Sequence, residues 1–279
     1  MMILRWLLLA CCVSTCVASA QVAVSLRAAP TAAVGEEVPL EIVFTNMGDD
    51  ALYVPFSGAD YGVESLLVCA EKDGLWYRSG QTHFDRDVAA FRFDYVPLRH
   101  GQTFSSPILG INYPGASSLP VLRLPEPGKY SVSVRYTSAG SSVVGVLWPV
   151  WRGTVTSTPL ELVLTERTRA TVNEKRRALA ECAHDASTCD DSLIGYFAIV
   201  RDDDAASLLI QLLDRTDVPD PGLLAAVVNQ PGEAPRSATA RFVKRFPRYQ
   251  IEVDELTASS TSAAAACAKH TAAGTGAAN

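Results

Sequence analysis

The chain has 279 residues, 24 of them basic and 30 acidic, for a formal net charge of −6. An apolar fraction of 48% is enough for a sizeable core, and mild acidity without a long single-sign run argues against nucleic-acid binding. After the amino terminus no stretch reaches the roughly 18 consecutive apolar residues of a membrane-spanning helix.

The amino-terminal segment, residues 1–20, reads as an export signal. Met1 to Arg5 is a short positive region, Trp6 to Val17 is apolar, and Ala18-Ser19-Ala20 is a small-residue cleavage site before Gln21. Leu8-Leu9-Ala10-Cys11 also has the form of a bacterial lipobox, so a lipid anchor at Cys11 is the alternative. The short distance from Arg5 and the presence of Leu9 before the small residue weigh against it. Cleavage after Ala20 yields a periplasmic or secreted product. It removes Arg5 and leaves 23 basic against 30 acidic residues, a balance of −7. It also removes Cys11, Cys12 and Cys16, so the mature chain carries Cys69, Cys182, Cys189 and Cys267. An oxidising compartment lets disulfides persist. Cys182 and Cys189 flank a short polar turn between two helical patterns and are expected to pair, whereas the partners of Cys69 and Cys267 stay open. A zinc site at Cys182, His184 and Cys189 lacks a fourth ligand.

Residues 21–165 read as all-β. Val22, Val24 and Leu26 alternate first, followed by Val38, Leu40, Ile42 and Phe44, ending in the turn chemistry of Asn46 to Asp50. Leu52 to Val54 and Leu66 to Ala70 continue the pattern. Glu71-Lys-Asp-Gly74 predicts a hairpin turn into Leu75-Trp76-Tyr77. Phe91, Phe93 and Tyr95 alternate with Arg92 and Asp94. Leu124-Pro-Glu-Pro-Gly-Lys then leads into a strand with Tyr130, Val132, Val134 and Tyr136 on one face and Ser131, Ser133 and Arg135 on the wet one. Leu160, Leu162 and Leu164 close the domain. Such alternation predicts an antiparallel β-sandwich.

Residues 166–248 change to a helical period and read as a small all-α domain, giving an α+β, multidomain chain. Thr171-Val-Asn-Glu174 has the form of a capping box. Asp190-Asp191-Ser192 and Asp202-Asp203-Asp204 read as caps of a second and third helix, the third with a stripe of Ala205, Leu208, Leu209, Leu212 and Leu213. Pro221 and Pro235 suit the first positions of a fourth and fifth. Residues 249–279 read as a disordered low-complexity tail, almost all Ala, Ser, Thr and Gly from Thr257 onward, with Cys267 incidental.

Three segments carry a family resemblance: Gly35 to Asn46, Asp94-Tyr-Val-Pro-Leu98, and Pro127-Gly-Lys-Tyr130. The β portion resembles a bacterial immunoglobulin-like domain. Similar strand-Thr-Asn and Pro-Gly-x-Tyr signatures occur in proteinase-inhibitor domains of the BsuPI type and in non-catalytic amino-terminal halves of secreted metallopeptidases. The resemblance covers about half the chain and implies a fold, not an activity. The His-Glu-x-x-His helix of a metallopeptidase is lacking. The helical part, Ala205 to Leu213 above all, resembles a single HEAT-type unit.

Catalytic chemistry is sparse in the sequence. It lacks a Gly-x-Ser-x-Gly elbow. Cys69 sits in an apolar strand, where a buried side chain is the simpler reading than a nucleophile. His83 with Asp85, in the polar segment Gly80 to Asp87, is the least poor candidate for an acid–base pair, although a solvated loop explains it. His100 precedes Gly101 in a turn. The aspartate runs lack calcium-loop spacing, and no cofactor motif is found. The aromatic residues are more informative. Trp148 and Trp151 lie in the long apolar segment Ser138 to Ser157, and Trp76 and Tyr77 follow the hairpin turn. Each is either core or a binding anchor. The sequence therefore supports a non-catalytic, exported binding protein whose partner is another envelope or secreted protein. A protease inhibitor using one loop is the alternative, and an enzyme the third.

Overall fold

The computed structural model describes residues 22–56, 66–79, 94–112, 122–138, 147–184, 189–215, 220–257 and 263–267. The export signal, the lipobox at Cys11, Phe91 and Phe93, and the His83–Asp85 candidate lie outside the described residues. The chain is a mixed α+β protein, with antiparallel sheets in its first part and helices in its second.

The strands follow in the order β1 (Val22–Arg27), β2 (Thr31–Ala33), β3 (Val38–Asn46), β4 (Leu52–Phe56), β5 (Leu66–Lys72), β6 (Leu75–Arg78), β7 (Asp94–Leu98), β8 (Thr103–Ile111), β9 (Gly128–Ser138), β10 (Gly153–Thr156) and β11 (Leu160–Thr165). One sheet has the order β1-β3-β8, and a second pairs β4 with β7. The largest runs β2-β11-β9-β5-β6, with β10 also on β9. The β2–β11 pairing is parallel, a departure from a purely antiparallel arrangement. Pro39 has no N–H to give to a ladder, and the β3–β8 register shifts at that point, between Val38 and Leu40.

The alternation read from the sequence buries Val22, Val24 and Leu26 in β1, Val38, Leu40, Ile42 and Phe44 in β3, and Tyr130, Val132, Val134 and Tyr136 in β9. Phe44 sits at the meeting point of the sheets. Its ring lies 5.3 Å from Phe56 of β4, 6.3 Å from Phe104 of β8 and 4.9 Å from Tyr136 of β9. Phe56 and Tyr136 meet it edge-on and Phe104 stacks on it, which joins the three sheets on one core. The tyrosine hydroxyl of residue 136 donates to the Pro55 carbonyl.

Turn residues explain the corners. Asp73 and Gly74 both take positive φ (53° and 80°), the two-residue hairpin expected after Glu71. Asn46, fully buried, donates from Nδ2 to the carbonyls of Asp50 (2.8 Å) and Leu98 (3.0 Å), while its Oδ1 accepts from Gly48 N (2.9 Å). The strand-Thr-Asn signature is thus a turn-fixing device. The Pro-Gly-x-Tyr signature is another: the Tyr130 hydroxyl donates to the Glu126 carbonyl at 2.9 Å.

The helices are α1 (Arg169–His184), α2 (Asp191–Phe197), α3 (Asp203–Arg215), α4 (Pro221–Asn229), α5 (Glu233–Arg245) and α6 (Gln250–Thr257). Asp190, Asp202 and Asp220 accept from the first-turn amides of α2, α3 and α4. Pro221 occupies the first position of α4, as its missing N–H allows. Two expectations are corrected. The first helix begins at Arg169, two residues before the Thr171–Glu174 box, and Thr168 caps it by accepting from Thr171 N at 3.2 Å. Pro235 lies two residues inside α5, not at its start.

Gln230, 4% exposed, ties the helices together. Its Oε1 accepts from Asp202 N (2.8 Å), and its Nε2 donates to the carbonyls of Phe197, Val200 and Ala226 at 2.9, 3.2 and 3.1 Å. One side chain satisfies the end of α2 and the start of α3 together. Asp202 is also gripped by Arg176, from both Nε and Nη2.

The reading of 249–279 as disordered is corrected where residues are described. Gln250–Thr257 is helical, and so is 263–267. Cys267 is fully buried and disulfide-bonded to Cys69, 198 residues away. A composition of small residues hid this, because one covalent bond supplies what burial of alanines cannot. The expected Cys182–Cys189 bond is present, with Cα atoms 4.7 Å apart. The helical part also touches the β part at the turn before β3. A Cβ on Gly35 (φ +88°) would lie 2.8 Å from Val200 Cγ2 and 2.9 Å from Tyr196 Cε2. Only glycine admits that approach.

Candidate functional site

The four aromatic candidates fall into two places, and each place separates its pair. Trp151 is 7% exposed and stacks on Tyr136 with ring centroids 5.6 Å apart. The segment before it is hooked to β4: Tyr53 N donates to Pro149 O (2.9 Å), Trp151 N donates to Tyr53 O (2.8 Å), and Ser138 Oγ donates to Trp151 O (3.0 Å). Gly153 follows with φ +147°, and a Cβ there would sit 3.2 Å from the Trp151 ring. Trp151 is therefore a core residue. Part of the long Ser138–Ser157 loop is strand β10, and Ser157 at its end is tied to β9, its amide donating to Val134 O (2.8 Å) and its Oγ accepting from Val134 N (3.0 Å). Val143 to Val146 of that loop lie outside the described residues.

Trp148 goes the other way. It is half-buried and packs on Tyr53 at 5.4 Å between centroids, while Tyr53 meets Tyr95 edge-on at 6.5 Å. Tyr53 lies between Leu52 and Val54, both buried, so it points outward, and register places it opposite Pro97, with Pro55 opposite Tyr95. The outer face of the β4–β7 pair thus carries Tyr53, Tyr95, Pro97 and Trp148, with Leu147 beside them at 89% exposure. Tyr53 and Tyr95 did not stand out in the sequence. The signal for them was there: an outward tyrosine on each of two short strands, each paired with a proline.

Trp76 and Tyr77, adjacent on β6, point to opposite faces of the largest sheet. Tyr77 stands opposite Ala70 on the inner side and meets Tyr130 edge-on at 5.7 Å. Burial raises the Tyr77 hydroxyl above its ordinary pKa, and the charge of Glu126 adds to the effect. Trp76 stands opposite Glu71 on the outer side and is half-buried. Lys72 bonds Glu126 at 2.9 Å, and that hydrogen bond raises its pKa.

Among the described residues no three His, Cys, Asp or Glu side chains gather as metal ligands would. A charged cleft of about 490 Å³ lies between α1 and α3, lined by Arg167, Val172, Arg176, Arg201 and Asp202 to Asp204. Within it Arg176 is already bonded to Asp202 and to Asp204 (2.8 Å). His100, in its turn, places Nδ1 2.9 Å from Gly48 O. Among the described residues no helix is long and apolar enough to cross a membrane.

No protein-family model matches the chain, and no curated protein matches its sequence. Among solved structures, it is similar to a β-glucosidase from Erythrobacter marinus, at 13% identity over 52% of this chain and 15% of that one, with a TM-score of 0.24. It is similar to an enzyme that catalyses macrocyclization in alchivemycin A biosynthesis, at 11% identity over 53% of this chain and 91% of that one, with a TM-score of 0.27. A CARDB domain from Pyrococcus furiosus, solved with two metal ions, matches at 12% identity over 52% of this chain and 87% of that one, with a TM-score of 0.22. Overlaps this loose carry no argument about function.

Proposed function

We propose that the chain is an exported, non-catalytic binding protein of the bacterial envelope, which engages a protein partner through the Tyr53–Tyr95–Trp148 surface. Its β part serves as an immunoglobulin-like sandwich scaffold. The single observation that carries this reading is the half-exposed aromatic group on the outer face of β4 and β7. Trp and Tyr are enriched among the residues that dominate the energetics of interfaces, and here three of them lie together, partly exposed. Their position is fixed by backbone hydrogen bonds and by the core beneath, so little freedom is lost on binding. The Tyr130 hydroxyl bonded four residues upstream is similar to the tyrosine corner of immunoglobulin-like sandwiches. Two disulfides suit export to an oxidising compartment, with the signal removed after Ala20. Trp148, not Trp151, is then the anchor, with Trp76 as a second site.

The test is recovery of partners from envelope extract on the immobilised mature protein. Trp148→Ala removes a hot-spot side chain worth about 2 kcal/mol, so recovery falls roughly thirtyfold while the thermal midpoint holds. A partner recovered equally by both proteins would remove this surface from consideration.

A further inference from the structure

The outer face of the largest sheet is buried at Cys69 and Ser133, where a two-sided strand should be wet. Cys69 of β5 pairs with Ser133 of β9 and with Arg78 of β6, and Glu71 pairs with Trp76, so these five share the face opposite Val68, Ala70, Val132 and Val134. Ser133 was expected in solvent, yet it is 9% exposed and Cys69 is fully buried. The cover is the helical segment 263–267. Ala263 and Cys267, four residues apart on one helix face, are both buried, Cys267 Sγ bonds Cys69 Sγ, and it lies 3.8 Å from the Tyr77 carbonyl.

We propose that residues 263–267 are a disulfide-latched strap across the outer face of β5, β6 and β9, released by thiol–disulfide exchange with a dithiol reductant. Five residues are far fewer than the roughly 12–15 that an isolated helix needs, and the segment buries little besides one alanine and the bond itself. Among the described residues, the bond is then the main tie that holds the strap in place. The second disulfide is different in kind. Cys182 lies in α1 and Cys189 two residues before α2, and both helices are anchored in the core by buried residues of their own, Leu179 in α1 and Leu193 and Phe197 in α2, so breaking that bond leaves both ends in place.

In the exchange, a thiolate of the dithiol attacks Cys267 Sγ and Cys69 leaves as a thiolate that takes up a proton. The second thiolate of the dithiol then displaces Cys267 from the mixed disulfide. The protein gains two electrons and two protons, and the dithiol becomes a disulfide. Both cysteines are buried, so attack follows fraying of the short helix. Release bares a strand face beside Trp76. The latch is independent of the surface at Trp148.

The experiment treats the mature protein with dithiothreitol under native conditions, labels free thiols with iodoacetamide and follows hydrogen exchange by mass spectrometry. The expected result is that Cys69 and Cys267 label within about tenfold of the unfolded-chain rate, and that amides of 263–267 lose protection about tenfold or more while β9 keeps its own. Unchanged protection at 263–267, reduction confined to Cys182–Cys189, or Cys69 labelling about a hundredfold slower than unfolded chain would each overturn the proposal. A Cys267→Ala variant should show an accessible Cys69 without reductant. Slow labelling in that variant, if it folds, counts equally against the strap; if it does not fold, the reduced native protein decides alone.

Discussion

Removing the Cys69–Cys267 bond by paired substitution to alanine should cost about twice as much stability as removing Cys182–Cys189. A cross-link chiefly restricts the unfolded chain, and the loss of loop entropy grows with the logarithm of loop length. For the separation of 198 residues the cost is about 5 kcal/mol, and for the separation of 7 it is about 2.5 kcal/mol. Alanine avoids leaving a hydroxyl in a site where both sulfurs are fully buried. The assay is urea unfolding of the oxidised parent and both variants, with the slope checked for each. The long bond also ties Cys267, which follows the helices in the chain, to strand β5 of the β part. Its removal should therefore split one transition into two, with fluorescence of the β part and circular dichroism of the helices no longer coinciding. A Cys69/Cys267 variant that loses less than the Cys182/Cys189 variant and still unfolds in one step would refute this reasoning.

Other substitutions test the interior. Gln230→Ala takes their side-chain partner from the buried Asp202 amide and Val200 carbonyl, while the Phe197 carbonyl keeps Asn229 Nδ2, an expected loss of about 3 kcal/mol in denaturant unfolding. The Tyr196 hydroxyl is buried with no hydrogen-bond partner, so Tyr196→Phe should leave stability unchanged or raise it by up to about 1 kcal/mol; a clear loss would show that the hydroxyl is satisfied. Gly35→Ala drives a methyl to 2.8 Å from Val200 at a positive φ and should cost about 1–3 kcal/mol in the same assay. Asp190 is held below the ordinary carboxylate range by the hydrogen bonds from the Ser192 hydroxyl and then from its amide. Its contribution is therefore present above the unfolded carboxylate's pKa and fades as pH falls below about 4. Asp190→Asn should flatten that part of the stability–pH curve, read from thermal midpoints.

Much of the β part was legible because its signals are local. Alternation placed the buried faces of β1, β3 and β9, and Asp73-Gly74 announced its own hairpin. The α4 start was visible in Pro221 for the same reason. What was not legible depends on residues far apart. Nothing near Cys69 distinguishes a free buried thiol from one bonded 198 residues away, and Ser133 reads as wet until the strap is placed over it. The parallel β2–β11 pairing is also non-local. At the proposed binding surface, Trp148 and Trp151 are chemically alike, and local sequence offers no reason to send one inward. The difference lies in the hooks of 149–151 onto Tyr53, which aim Trp151 at Tyr136 and leave Trp148 above the β4–β7 face.

The central claim is that this face meets a partner, and Leu147, 89% exposed beside Trp148, offers the most direct test. A photo-crosslinking amino acid at position 147, in cells exporting the protein, should give one dominant adduct that disappears when Trp148 is also changed to alanine. Adducts arising instead from position 251, on α6 at 57% exposure, with none from 147, would contradict it.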